Sequence, residues 1–200
     1  MNRRLTPKSI DELRTRLGDR TIVIIGLMGA GKTTVGRRLA ERLGLAFVDA
    51  DAEIEKAAGR TIAEIFARHG EDYFRDGERK VIARLLQSGP QVLATGGGAF
   101  MHEETRMAVR QHAISVWLRA ALPLLMKRVR RRSHRPLLAA ADPETVMRDL
   151  MDKRYPVYSQ ADIAIESRDI PHNVIVNDVI RALMRYVLGN HAGNEDTNEA

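Results

Sequence analysis

The sequence contains no cysteine, which excludes disulfides, thiolate metal sites and a cysteine nucleophile, and leaves oxygen and imidazole as donors for any metal. It also lacks the run of ~20 consecutive apolar residues that a membrane-crossing helix takes, and its N-terminal stretch lacks the apolar segment of a secretory signal. No internal repeat is visible. A cytoplasmic location is therefore expected, with no membrane partner. What is present is 200 residues, 44% hydrophobic and 29% charged, which suits one soluble domain with a buried core and is too little for two comfortable ones. A monomer is the expected assembly.

The formal net charge is +6, and basic surfaces attract phosphate backbones regardless of sequence. The positive residues are concentrated, however, in Lys127, Arg128, Arg130, Arg131, Arg132 and Arg135. A local run of this kind suits a polyanionic small ligand equally well, and a solvated helix face is the plainest alternative. Nucleic acid is not expected as a partner.

Along the chain, Ile10, Leu13 and Leu17 have the spacing of a short amphipathic helix, read as a segment appended before the core. Thr21 to Ile25 is a continuous β-branched run, as in a parallel strand covered on both faces. A helix carrying Val35, Leu39 and Leu43 ends at Gly44, and a second strand, Leu45 to Val48, leads to Asp49. Residues 51 to 88 read as helices with Ile54, Ile62, Ile65, Phe66, Val81, Ile82, Leu85 and Leu86 as their buried positions. Further strands are expected at 91–95, 113–118 and 163–166, with helices at about 121–132, 143–153 and 173–188. Alternation of strand and helix implies an α/β fold with a parallel sheet. The polar stretch 189–200 lacks apolar periodicity and is expected to be disordered.

Gly26-Leu27-Met28-Gly29-Ala30-Gly31-Lys32-Thr33 follows the first strand and opens the next helix. Gly-x-x-x-x-Gly-Lys-Thr in that context is a phosphate loop. Side chains at Gly29 or Gly31 would block the approach of phosphate or forbid the turn, and the backbone of Gly29, Ala30 and Gly31 can present N–H groups to an anion. Lys32 is expected on the β- and γ-phosphates, Thr33 on Mg²⁺, and Thr34 on a phosphate, all at a positively polarised helix N-terminus. The co-substrate implied is ATP. Small size favours a kinase acting on a small molecule over a motor or a switch.

The acceptor then belongs near the strand ends. Asp49 and Asp51 lie there; one carboxylate can help hold the metal while the other orients or deprotonates an attacking hydroxyl. Asp51 could instead cap the helix that follows. Gly96, Gly97 and Gly98 mark either a close backbone approach or a plain flexible turn. Arg75, Arg135 and Arg154 could bind a carboxylate or a phosphoryl group through the guanidinium fork, although spacing alone does not select them from the other arginines. A gluconate kinase-like or nucleoside-monophosphate-kinase-like enzyme fits the same loop.

Taken in order, Gly-Leu-Met-Gly-Ala-Gly-Lys-Thr-Thr, Phe-Val-Asp-Ala-Asp, Phe74-Arg75, Ala-Thr-Gly-Gly-Gly, Arg135-Pro136-Leu137-Leu138 and Arg154-Tyr155-Pro156-Val157-Tyr158 closely resemble the shikimate kinase family, from about Ile22 to the end of the last helix. The resemblance implies a P-loop three-layer α/β/α sandwich with a central, mainly parallel five-stranded sheet, in one domain over 21–188. It further implies a helical substrate-binding insertion at about 50–88 and a mobile lid at about 130–142, leaving 1–20 as an N-terminal extension. The implied reaction moves the γ-phosphoryl group of ATP to the 3-hydroxyl of shikimate. Asp51 matches the residue that binds the shikimate hydroxyls and serves as base, and Asp49 with Thr33 matches the Mg²⁺ site, directly or through water. Arg75 and Arg154 match the pair that holds the shikimate carboxylate, and Gly97 lines the same pocket. Arg135 matches a lid arginine on the ATP phosphates, and Arg168 is the candidate for a basic residue at the adenine.

Overall fold

The β-branched and apolar runs become Thr21–Ile25 (β1), Ala46–Asp49 (β2), Gln91–Ala94 (β3), Ala113–Arg119 (β4) and Ile163–Glu166 (β5). They form one sheet in the order β2-β3-β1-β4-β5, and each neighbouring pair is parallel. The structure is a computed structural model that describes residues 5–131 and 142–189. β1 is central, and all five of its residues are buried, as a strand covered on both faces must be. β5 is an edge strand, and its burial alternates residue by residue.

The helices are Pro7–Leu17 (α1), Lys32–Leu43 (α2), Ala50–Ala58 (α3), Ile62–Leu86 (α4), Glu103–His112 (α5), Leu122–Arg130 (α6), Pro143–Tyr158 (α7) and His172–Gly189 (α8). β1 pairs with β3 on one side and β4 on the other, so β2 and β3 are added to one side of it and β4 and β5 to the other. That switch point opens a crevice at the C-terminal strand ends, where ligands of open α/β sheets bind.

Several expectations are sharpened. α1 is capped by Thr6 and Ser9 in a reciprocal box, and its Leu13 and Leu17 are buried in the main core. It covers the core rather than hanging beside it. α3 and α4 enclose a small separate core of Ile54, Ile65 and Phe74. Phe66, expected inside, is 37% exposed; it stacks on Phe74 at 4.7 Å and turns its other side to the crevice. α4 is bent at Gly70, whose φ of 80° and ψ of −179° separate the Phe66 segment from the one carrying Arg75. α7 runs past Pro156 to Tyr158, because a proline in the last turn removes only one helical hydrogen bond while Tyr155 and Tyr158 gain ring contacts with Trp117. Gly189 belongs to α8, whereas the rest of the expected disordered tail lies outside the described residues. So do residues 132–141, with Arg135 and most of the expected lid.

Burial of a leucine is worth about 2 kcal/mol, and truncating one in a packed core costs about 2–5 kcal/mol. Leu17→Ala is accordingly expected to lower the unfolding free energy by about 3 kcal/mol in denaturant titration, with turnover per folded molecule unchanged. A loss below about 0.5 kcal/mol, typical of surface sites, would show that α1 is not part of the core.

Candidate active site

The nucleotide side is built on the turn between β1 and α2. Gly26 lies so close to β4 that a Cβ would sit 2.8 Å from the Leu118 carbonyl oxygen. Gly29 and Gly31 hold φ values of 83° and 101°, which L side chains rarely adopt. The Ala30 N–H closes the loop on the Leu27 carbonyl at 3.1 Å. Lys32 Nζ donates to the carbonyls of Gly26 (2.9 Å) and Leu27 (3.1 Å). Its ammonium thus lies over the loop that it is expected to serve. Thr33 Oγ1 donates to Asp49 Oδ2 at 3.2 Å, and Thr34 lines the cleft beside it.

Arg128 completes this side, and spacing did not single it out. Its Nη1 donates to the carbonyls of Gly29 and Ala30, both at 3.2 Å, and to Ser167 Oγ at 2.8 Å. Its Nη2 donates to the Arg168 carbonyl at 2.9 Å. The available signal was its place beside Leu125 and Val129 on the buried stripe of α6, whereas Lys127 and Arg130 face outward. Burial lowers the Arg128 guanidinium pKa from its usual value. Arg168, the candidate for the adenine, pairs with Asp178 at 2.6 Å, and Asp169, Ile170 and His172 line the cleft.

The acceptor side lies across the same cleft of about 750 Å³. Asp49, not Asp51, is the N-cap of α3: its side chain accepts the Asp51 N–H at 3.2 Å. Capping and the contact with Thr33 both fall to Asp49, so the Asp51 carboxylate is left facing the cleft. Arg75, from α4, is clamped by Glu78 Oε2 at 2.7 Å and Glu71 Oε1 at 3.1 Å. Arg154 enters from α7.

Gly96, Gly97 and Gly98 run between these side chains, and a side chain on any of them would displace a charged tip. A Cβ on Gly96 would lie 2.8 Å from Glu78 Oε1 and 2.9 Å from Asp51 Oδ1. On Gly97 it would meet Arg154 Nη1 at 2.9 Å, and on Gly98 Arg75 Nη1 at 2.6 Å. None of the three has a positive φ. Rather than a plain flexible turn, the strip is a close backbone approach: the tips of four charged side chains lie against it where a Cβ would be.

Glu78 is the second residue that spacing did not single out. It is 1% exposed, and Oε1 has no hydrogen-bond partner among the described residues. Burial raises its pKa, against the lowering effect of Arg75. The Asp51 carboxyl is also pushed up, first by burial and then by the Asp49 charge, with Lys32 opposing. A carboxylate raised toward the working pH is a better proton acceptor than an ordinary one. For a metal, no cluster of three His, Cys, Asp or Glu occurs among the described residues. Magnesium needs only one or two protein oxygens beside phosphate and water, and the adjacent Thr33 hydroxyl and Asp49 carboxylate fit that demand.

Residues 28–184 match the family model for shikimate kinase. The chain belongs to the shikimate kinase family. It is 56% identical over 189 residues to the shikimate kinase of Bradyrhizobium diazoefficiens, covering 94% of this chain and 91% of that one. It is 58% identical over 176 residues to that of Rhodopseudomonas palustris, covering 88% and 87%. Among solved structures, shikimate kinase from Acinetobacter baumannii in complex with shikimate superposes with a TM-score of 0.78 at 38% identity, covering 90% of this chain and 98% of that one. The expected fold and family are both borne out.

In a shikimate kinase with this strip, Gly97→Ala displaces the Arg154 guanidinium without straining the backbone. KM for shikimate is expected to rise about tenfold, the scale of one charged hydrogen bond, while KM for ATP and the melting temperature stay near their starting values. An unchanged KM for shikimate would show that the strip does not need to be bare.

Proposed function

We propose that the cleft is where this shikimate kinase carries the γ-phosphoryl group of ATP to the 3-hydroxyl of shikimate, giving shikimate 3-phosphate and ADP. The single observation that carries the assignment of residues is the sorting of charge along Gly96–Gly98, with carboxylates at one end and guanidinium groups at the other. An acceptor bearing hydroxyls and one carboxylate fits that sorting. Arg75 and Arg154 take the carboxylate, Gly97 lets it approach, and Asp51 takes the hydroxyls and the proton of the attacking one. Arg75 can hold a planar anion in a fixed direction because Glu71 and Glu78 hold its own fork.

On the other side the phosphate loop, Lys32 and Thr34 bind and orient the triphosphate, with Arg128 holding the loop from behind. Thr33 and Asp49 would hold Mg²⁺, which when bound neutralises charge on the β- and γ-phosphate oxygens. Arg135, outside the described residues, is proposed from the family resemblance as a further cation on the phosphates. In phosphoryl transfer, positioning and charge neutralisation supply most of the rate.

The same reading takes the protein as a cytoplasmic monomer without a nucleic-acid or membrane partner. In support, Arg128 is folded onto the loop and Lys127 is paired with Asp169 at 2.5 Å, which leaves the basic run a poorer footprint for a phosphate backbone. No helix among the described residues is long and apolar enough to cross a membrane. ADP release with shikimate, compared with gluconate and nucleoside monophosphates, tests the substrate. Turnover with one of the others and none with shikimate would overturn the reading.

Asp51→Asn is expected to lower kcat by about 10²–10⁴, the usual span for a positioned acid or base. The raised pKa fixes two signs. Turnover needs the carboxylate, so the acid limb of kcat/KM should lie above the 3.8 of an ordinary aspartate and turnover should fall as pH drops through it. The ionised form destabilises the fold at pH values above the folded-state pKa, and this destabilisation fades as Asp51 protonates. Asp51→Asn should therefore melt at a higher temperature than the parent at neutral pH. Near-normal kcat in this variant would remove Asp51 from the chemical step.

A further inference from the structure

Tyr158 closes the motif that Arg154 opens, and the reaction as described does not use it. It lies one helical turn beyond Arg154 on α7, is 0% exposed, and is not among the side chains lining the cleft. Its ring is held edge-on to Trp117 at 6.0 Å and near Tyr155 at 6.3 Å. A buried aromatic in that setting needs no hydroxyl for its packing. Yet the hydroxyl donates to the Gly97 carbonyl, and it converges on Gly97 with Arg154: a Cβ there would lie 3.8 Å from the Tyr158 hydroxyl and 2.9 Å from Arg154 Nη1. Arg154 in turn lies against the Gly97 Cα from the cleft side.

We infer that Tyr158 is a positioning residue for the acceptor site: its hydroxyl holds the Gly97 carbonyl and so fixes the bare strip against the Arg154 guanidinium that lies beside it. The inference rests on the assignment of Arg154 and Gly97 to the shikimate carboxylate. Two physical points support it. Arg154 has no ion pair among the described residues, unlike Arg75, whose fork is held by two glutamates. Tyr158 gives Arg154 a fixed neighbour without neutralising it. The phenol can also keep its proton throughout the working range, since burial pushes its pKa up to about 12. It therefore remains a donor to the carbonyl while its oxygen stays available to the guanidinium.

Tyr158→Phe removes this tie and leaves the ring. KM for shikimate is expected to rise about tenfold, as for a buried hydrogen bond lost beside a charged group, with kcat and KM for ATP within about twofold. Tyr155→Phe is the matched control, because the Tyr155 hydroxyl donates to Ala120 behind β4; it should leave KM for shikimate unchanged. Calorimetric titration with shikimate gives the same comparison on the folded fraction if Tyr158→Phe is less stable. A purely structural tyrosine would lower the melting temperature and the active fraction while leaving shikimate affinity as it was, and that result overturns the inference. Arg154→Lys separates the two levels. If it leaves KM for shikimate unchanged, the assignment of the pocket falls and the role of Tyr158 with it. If it raises KM and Tyr158→Phe does not, only the role of Tyr158 is lost.

Discussion

Opposite charges that share a half-buried cleft attract one another strongly enough to collapse into pairs, since a low local dielectric magnifies every unpaired interaction. A pocket built from Asp51, Glu78, Arg75 and Arg154 has to prevent that. Gly96–Gly98 does so by lying between them, with the carboxylates against Gly96, Arg154 against Gly97 and Arg75 against Gly98. Where a pair does form, between Arg75 and Glu78, it is used to fix the guanidinium. Asp51 has no ion pair among the described residues, and its raised pKa is the electrostatic consequence of leaving it unpaired. The bare strip is what makes a charge-sorted acceptor site compatible with a folded protein.

The nucleotide side solves the converse problem. A loop that must present N–H groups to an anion leaves its carbonyls on the far side, and those need donors if they are buried. Arg128 and Ser167 supply them to Gly29 and Ala30, and Lys32 does so for Gly26 and Leu27. Part of the basic run that suggests a polyanion surface in the sequence is therefore spoken for by the loop itself. Gly26 links the two halves, because its close approach to Leu118 of β4 holds the loop against the strand whose other neighbour is β5.

The parts legible in the sequence are those whose cause is local. The phosphate loop, the five strands and the placing of Asp49 and Asp51 at a strand end follow from short runs whose neighbours in sequence are their neighbours in space. The bareness of Gly96–Gly98 was visible, but its reason was not, since the side chains that demand it come from positions 51, 75, 78 and 154. Arg128 contacts residues 98 and 99 positions away, and Tyr158 one 61 positions away, distances over which periodicity carries no information. Phe66 misled because an apolar residue on a helical stripe reads as core, whereas this stripe continues past the small α3–α4 core into the mouth of the cleft. Asp51 as a cap fails for a related reason. Asp49, two residues earlier, reaches the start of α3 with better geometry.

That division between local and distant causes also separates the two functions of the cleft. Phosphate binding rests on one contiguous turn, so it can persist while the acceptor changes, and it identifies only the donor of the phosphoryl group. The acceptor site is assembled from α3, α4, the strip after β3, and α7, which meet only when the sheet has its full order. Burying Glu78, whose Oε1 has no hydrogen-bond partner among the described residues, and Asp51 with a raised pKa costs stability in the folded state. The doubly covered β1 and its neighbours offset that cost through apolar burial. Specificity for the acceptor is therefore tied to the stability of the whole sheet, whereas binding of the nucleotide phosphates is tied chiefly to the β1–α2 turn.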